Sequence, residues 1–528
     1  MQNFTSIFSE GLAKKEEQRK WLESHRLYIG DLHNHCNISY GHGSLEKAIA
    51  FAQQQLDFFT VTGHFAWPDM DSGLQPVPPA VQEYHNSGFQ KLRTLWPYYQ
   101  KLMKESSESG IVPFASYEFH SFVHGDYTII VQDLDRPLPE DPTGEDTRLV
   151  DLIETNDPAT SGLICMPHHI GYKTGFRGIN WETYREHSSP LVEIMSMHGA
   201  SESEHALPAY LHTMGPLSQD NTYQGGLARG FKFGVTACTD HHNAAPGSYG
   251  SGKTGVWATA QKSDEIWDAL LLRQTVAYSG DPIAMAYFIE DQSVGSTVIT
   301  DQKTVDLDAY VLAPSSLARV EVLVNNEVYS THYPKKQSTD HKRFDLALGW
   351  GQRGVPTAWE LTLQVEGASF VDVVGRLRGE YVVDPLSVPS DDLAVAPHLR
   401  HSRETITLSC RTAGNTNATT DDTQGLGFGL VGDGPYTLHF SVTAQVGEKR
   451  IQRSFSYESA ALQQGTTVEY MDGFVSPALR LSEEMDISSC AVEVHQSLPV
   501  GDGASVYLRA FEEKGDSAWS SAIWVERP

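Results

Sequence analysis

The sequence predicts an α/β barrel of parallel strands over residues 27–283, followed by an all-β sandwich region. Three observations predict it. Five or six apolar runs in succession end in His, Glu or Asp, and in a parallel barrel such strand ends share the face where active sites are built. Histidine is concentrated at the front, with 16 of the 22 before residue 243, which separates a chemical half from a structural one. From Ala284 onward apolar and polar residues alternate, as in half-buried strands.

The totals narrow the function classes. A chain of 528 residues is long enough for several domains. A formal net charge of −28 argues against nucleic acid or an anionic membrane as partner. It leaves room for a small anionic substrate, because metal ions reverse the field locally. No run reaches membrane-spanning length and the N-terminus lacks a signal-type apolar core, so a cytoplasmic protein is expected. The five cysteines include no CxxC, and Cys410 and Cys490 would pair only in an exported chain.

Residues 1–26 read as a polar helix on the outside, with Lys14 to Lys20 a solvated charge run. Leu27-Tyr28-Ile29 is a buried strand that runs into Asp31, His33 and His35. Residues two apart on a strand share a side, so both imidazoles address one point, as ligands of a transition metal would. Ser44 caps a helix to about Gln55, and Phe58 to Thr62 is a strand ending at Gly63-His64. Residues 65–90, with four prolines, read as a long loop before a helix at 90–105.

Ile111 to Tyr117 then leads into Glu118-Phe119-His120, and Thr128 to Val131 follows His124-Gly125-Asp126. A helix near 146–156 precedes Leu163 to Met166, which ends in Pro167-His168-His169. Leu191 to Met195 contains Glu193 and precedes His198; Phe233 to Thr239 runs into Asp240-His241-His242. A strand at Thr254–Ala258 and a helix at Ser263–Gln274 close the barrel region. Alternation favours His168 over His169, and His242, on the side of Asp240, over His241. Glu193 and His198 are rim candidates, and Lys173 and Arg177 in GYKTGFRG could clamp an anionic oxygen.

These residues resemble the PHP (polymerase and histidinol phosphatase) family: HxH at His33 and His35, His64, Glu118, the PHH at 167–169, and DxH at Asp240 and His242. GDLHNH, LVEIMSMHG, FKFGVTACTD and the terminal AWSSAIWV resemble its larger, mostly uncharacterised branch with an added β region. The resemblance implies a distorted (β/α)7 TIM-like barrel with two or three divalent ions (manganese, zinc or iron) and phosphate-ester hydrolysis. It places His33, His35, Glu118 and Asp240 on the more buried metal pair, with His64, His168 and His242 completing the set. The family's third histidine follows HxH by about six residues; here the nearest is His42, seven on. The family's TDH is here Thr62-Gly63-His64, without the acidic neighbour.

Behind the barrel, residues 284–385 plus 501–528 are expected to form one sandwich, with 386–500 an inserted β region. Residues 386–404 read as a linker and 412–427 as a low-complexity loop. The expected function is a metal-dependent phosphoesterase that activates water. Asp240 is essential in this reading, and His198, His169 or His120 protonates the leaving group. With only Glu118 and Asp240 as carboxylates, the loaded cluster would stay positive and favour an anionic substrate. The rivals are amidohydrolase-like C–N or C–O cleavage and a metal- or glycan-binding module without turnover.

Overall fold

The computed structural model describes residues 4–140, 148–210, 214–335, 337–380, 396–414 and 422–528. The front half is mixed α/β. Its strands are β1 (Arg26–Asp31), β2 (Phe58–Phe59), β3 (Thr62–Ala66), β4 (Val112–Pro113), β5 (Ala115–Phe119) and β6 (Tyr127–Val131). After them come β7 (Leu163–Pro167), β8 (Leu191–Ser196), β9 (Gly199–Ala200), β10 (Gly234–Ala237), β11 (Lys253–Ala258) and β12 (Thr275–Tyr278). Parallel pairs join β1 to β2, β2 to β4, β3 to β5 and β8 to β10.

The closed, all-parallel barrel expected from the resemblance is not what the hydrogen bonding describes. The strands fall into separate sheets, and among the described residues no ladder joins β7 to β8 or β10 to β11. β6 runs antiparallel to both β5 and β7. The cause is local: residues 120–126 are too few for a crossover, so the chain turns back on itself.

Several local expectations change. Ser44 caps its helix as predicted, accepting from Lys47 N at 3.2 Å, but the helix ends at Ala52. The helix expected at 90–105 spans Pro79–Ser106, because Pro79 occupies its first turn, where the missing N–H costs nothing. The N-terminal helix is three short pieces, and it is not merely external. Phe4, Phe8, Leu12 and Leu22 are buried in the first sandwich core, each contributing about 2 kcal/mol. Lys15, read as solvated, pairs with Asp308 at 2.8 Å. All five cysteines are buried and free. Among the described residues no helix is long and apolar enough to cross a membrane.

The β-rich portion consists of two units. In the first, strands 284–289, 304–312 and 491–499 form a sheet that packs on one containing 317–324, 504–512 and 523–526. The last of these sheets is continuous with the front half, since 517–520 pairs with β12. In the second unit, strands 341–350 and 369–376 pair with 424–431, and 357–366 pairs with 405–412 and 437–446. Strand pairing therefore divides the rear of the chain near 333 and 490, where the sequence reading put 385 and 500. Alternation identifies a strand but not its partner, which is why the boundary moved. The linker expected at 386–404 contains a strand at His398–His401, its residues 386–395 lying outside those described. The loop expected at 412–427 gives way to a strand at Gln424–Val431, with 415–421 likewise outside.

Candidate metal centre

β1 ends at Asp31, so His33 and His35 stand beyond the strand instead of on it. Backbone pairing aligns them with the segment after β10: Asp240 N donates to His33 O at 2.8 Å and His35 N to His241 O at 2.9 Å. The buried Asp31 carboxylate staples the two segments. It accepts from Thr239 N (3.1 Å), Thr239 Oγ1 (2.6 Å) and Gly247 N (2.8 Å). Burial pushes that carboxyl up to about 6 against these hydrogen bonds.

The side chains converge. His33 Nε2 lies 3.1 Å from His35 Nε2, and His35 Nε2 is 3.0 Å from Asp240 Oδ1. Glu118 Oε2 has no hydrogen bond among the described residues yet lies 3.6, 3.4 and 3.5 Å from the Nε2 atoms of His33, His35 and His64. Its Oε1 is 3.2 Å from His168 Nε2 and 2.9 Å from His120 Nδ1. His242 joins His35 and His64 in a third group.

The outer ring nitrogens decide what the inner ones can do. His33 Nδ1 is 2.8 Å from Glu193 Oε2, His35 Nδ1 2.9 Å from Thr62 O, and His242 Nδ1 2.8 Å from Asp240 O. Carbonyls and carboxylates only accept, so each Nδ1 carries a proton and the other ring nitrogen is turned inward. Two such nitrogens 3.1 Å apart share a cation, either a proton, which Asp240 and Glu193 favour on His33 against its burial, or a metal ion. Donor atoms about 2.0–2.2 Å from one ion sit about 3.0–3.5 Å apart, which is the spacing here. The residues present therefore fit divalent transition-metal ions.

Burial holds His168 and His242 down at about 3, and neighbouring imidazoles add to this, so both rings are in the ligand form at neutral pH. Burial would raise the Glu118 carboxyl, but His120, His168 and His64 hold it well below its usual range. Asp240 is likewise lowered against its burial, chiefly by His33 and by the hydrogen bond to His198. Asp240, His169 and Arg177 all hold positive φ (50°, 32° and 68°), the kind of backbone strain that clusters at functional sites.

Of the residues named from the sequence, His33, His35, His64, Glu118, His168, Asp240 and His242 are brought together. His42 donates its N–H to His242 O at 2.7 Å, and its Nε2 is buried without a hydrogen bond. His198 spans Asp240 Oδ2 and Tyr172 OH, both at 2.9 Å. His169, the residue alternation disfavoured, also faces the cluster, grouped with Asp126 and His168. Alternation failed there because His169 leaves extended backbone. Glu193 lies behind His33, fully buried, and not at a rim. Arg177 pairs with Asp126 and its guanidinium lies 4.9 Å over the Trp67 ring. Lys173 is exposed, outside the buried set.

Sequence reasoning missed Asp126 and Tyr40. Asp126 accepts from Ser121 N at 2.9 Å and lies 3.1 Å from His120 Nδ1; Tyr40 OH is 2.6 Å from His120 Nε2. The cluster acids Glu118 and Asp240 lie at or beyond a strand's C-terminal end, whereas Asp126 precedes a strand. Because β6 is antiparallel, its N-terminal end lies beside the C-terminal end of β5. An acid just before an apolar run, after a short turn, was the available signal.

No protein-family model matches the chain. An uncharacterized protein of Chlamydia pneumoniae is 24% identical over 199 residues, 35% of this chain and 32% of that protein. One of Chlamydia trachomatis is 24% identical over 204 residues, 34% and 33% respectively. The match thus spans about a third of the length of these curated relatives. Among solved structures, a two-domain protein from Bacteroides vulgatus containing a predicted PHP-like metal-dependent phosphoesterase aligns over 82% of this chain and 96% of its own. That alignment has 14% identity and a TM-score of 0.30.

Proposed function

We propose that this chain is a metal-dependent hydrolase that holds two or three divalent ions, manganese, zinc or iron, and cleaves a small phosphate ester. The observation that carries the reading is the Glu118 carboxylate, buried with an unbonded Oε2 among three inward-facing Nε2 atoms. Bound ions would lower the pKa of a water and neutralise charge on the ester oxygens. His33, His35, His64, Glu118, His168, Asp240 and His242 would hold them, with His42 the candidate for completing the third position.

The chain's own groups supply the rest. His198, at the edge of the cluster and bridged between Asp240 and Tyr172, holds a proton where a leaving group would depart. His120 lies deeper, with Nδ1 2.9 Å from Glu118 Oε1 and Nε2 2.6 Å from Tyr40 OH. Arg177, whose Nε is buried without a hydrogen-bond partner among the described residues, orients an ester oxygen. Glu118, Asp126, Glu193 and Asp240 carry four formal negative charges against one on Arg177. Glu118 and Asp240 are the two carboxylates of the proposed ligand set, and Glu193 and Asp126 add two more close behind them. The pocket accommodates two divalent ions near neutrality and a third with a surplus, so an anionic substrate suits the fuller state.

The test is metal analysis of the purified chain, joined to a screen of phosphomonoesters, phosphodiesters, amides and lactones with and without chelator. Metal-dependent phosphate-ester turnover supports the proposal. Turnover of only an amide or lactone favours the amidohydrolase-like rival, and fewer than one ion per chain after reconstitution overturns the metal centre.

A further inference from the structure

The loop from Asp240 to Gly252 carries two of the metal-capable residues and has no regular secondary structure to hold it. Asp240 and Ala244 both hold positive φ, 50° and 51°, conformations that persist only when their surroundings over-determine them. Asp31 restrains this loop from the cluster side. The other side is covered by residues 376–380, where the strand Ser369–Arg376 of the second β unit runs out.

The contacts there are dense and directional. Tyr249 N donates to Leu377 O at 2.9 Å, Gly379 N to Ser248 Oγ at 2.9 Å, and Asn243 Nδ2 to Glu380 O at 3.2 Å. Arg378 donates from Nη1 to Tyr249 O at 2.8 Å, and its guanidinium lies 4.6 Å over the Tyr249 ring. Ala245 is fully buried in the hydrophobic core of the second β unit, beside Leu377. The brace is itself fixed: Arg378 N donates to Gln424 Oε1 at 2.8 Å, and Gln424 Nε2 returns to Arg378 O at 2.9 Å.

Gly379 is where the two surfaces bear on each other. A Cβ there would overlap Ala245 Cβ and lie 2.8 Å from His241 Cε1. His241 precedes His242, and its carbonyl accepts from His35 N. Any push on its ring therefore reaches ligands on both segments. We propose that residues 376–380 position the metal-ligating loop and that Gly379 is their bearing point, which makes the second β unit part of the metal centre's framework. This rests on the metal-centre reading above. Ligand placement within about 0.5 Å depends on such support.

The experiment compares the full-length chain with Gly379→Ala and with Gly434→Ala, a glycine of the same unit that has open space around it. Zn2+ affinity is measured by competition with a chelating dye, ligand geometry by the visible spectrum of the Co2+-loaded protein, and folding by thermal unfolding. The expected result is at least a tenfold loss of affinity for one Zn2+ equivalent and an altered Co2+ spectrum in Gly379→Ala, with Gly434→Ala unchanged. Wild-type affinity and spectrum in Gly379→Ala overturn the brace. If Gly379→Ala does not fold, Arg378→Gln, which removes the donor to Tyr249 O, is read by the same two outcomes. A wild-type chain that binds neither ion overturns the metal-centre reading itself, a distinct failure.

Discussion

His33 Nδ1 and Glu193 Oε2 lie 2.8 Å apart, joining two fully buried side chains from residues 160 apart in sequence. The carboxylate fixes the proton on Nδ1 and so aims Nε2 at His35, Glu118 and Asp240. It also accepts from His169 N at 3.1 Å through Oε1. Glu193 thus holds the outer nitrogen of His33 from behind the cluster.

Glu193→Gln should keep the fold and lower metal affinity about 10–100-fold, the usual cost of losing such a partner. Competition titration with Zn2+ checks this. An unchanged affinity would return Glu193 to simple packing.

His35→Ala should release at least one ion per chain, because its Nε2 faces His33, Glu118 and Asp240 together. His439→Ala, on an exposed face of the second β unit, should not. Elemental analysis after gel filtration distinguishes the two.

Asp240→Asn and His198→Gln separate binding from proton transfer. The first should cost both metal and turnover. The second should keep metal content while turnover falls about 10²–10⁴-fold, the range for a general acid. Loss of metal in His198→Gln would make it a ligand.

Lys253 is a buried lysine whose ammonium lies 5.7 Å over the Tyr249 ring. Burial lowers its pKa to about 8, against the partial support of Asp281 and Asp516. Between about 8 and the ordinary 10.5 the unfolded chain binds the extra proton, so stability should rise with pH across that window. Below it the penalty is fully present, on the order of 3–4 kcal/mol. Lys253→Met should raise stability at pH 7 and flatten the alkaline rise, which denaturant melts from pH 7 to 10 will show.

Deleting residues 501–528 should abolish soluble expression. Strand 504–512 pairs with 317–324, and 517–520 pairs with β12, so the cut removes the middle of a sheet and not an edge. Sedimentation of the truncated chain as a folded monomer would refute this.

Much of the cluster was legible because its metal-capable residues sit at the ends of apolar runs, and both features are visible in one dimension. HNH at 33–35, Glu118 after its strand, His168 and the DxH at 240–242 all carried that signature. Partner choice between strands carried none. The reversal of β6 brought Asp126 to the site, and the pairing of 341–350 with 424–431 moved the boundary of the second β unit.

The sequence by itself determined the residue types and the order in which they reach the cluster, since strand ends and imidazole chemistry are local properties. Tertiary structure alone decided which carboxylate orients a ligand, which one pairs with Arg177, and which segment braces the loop at 240–252. Those assignments depend on atoms brought within about 3 Å across long stretches of chain. Hydrogen bonding is too short-ranged and too directional for sequence spacing to reveal it.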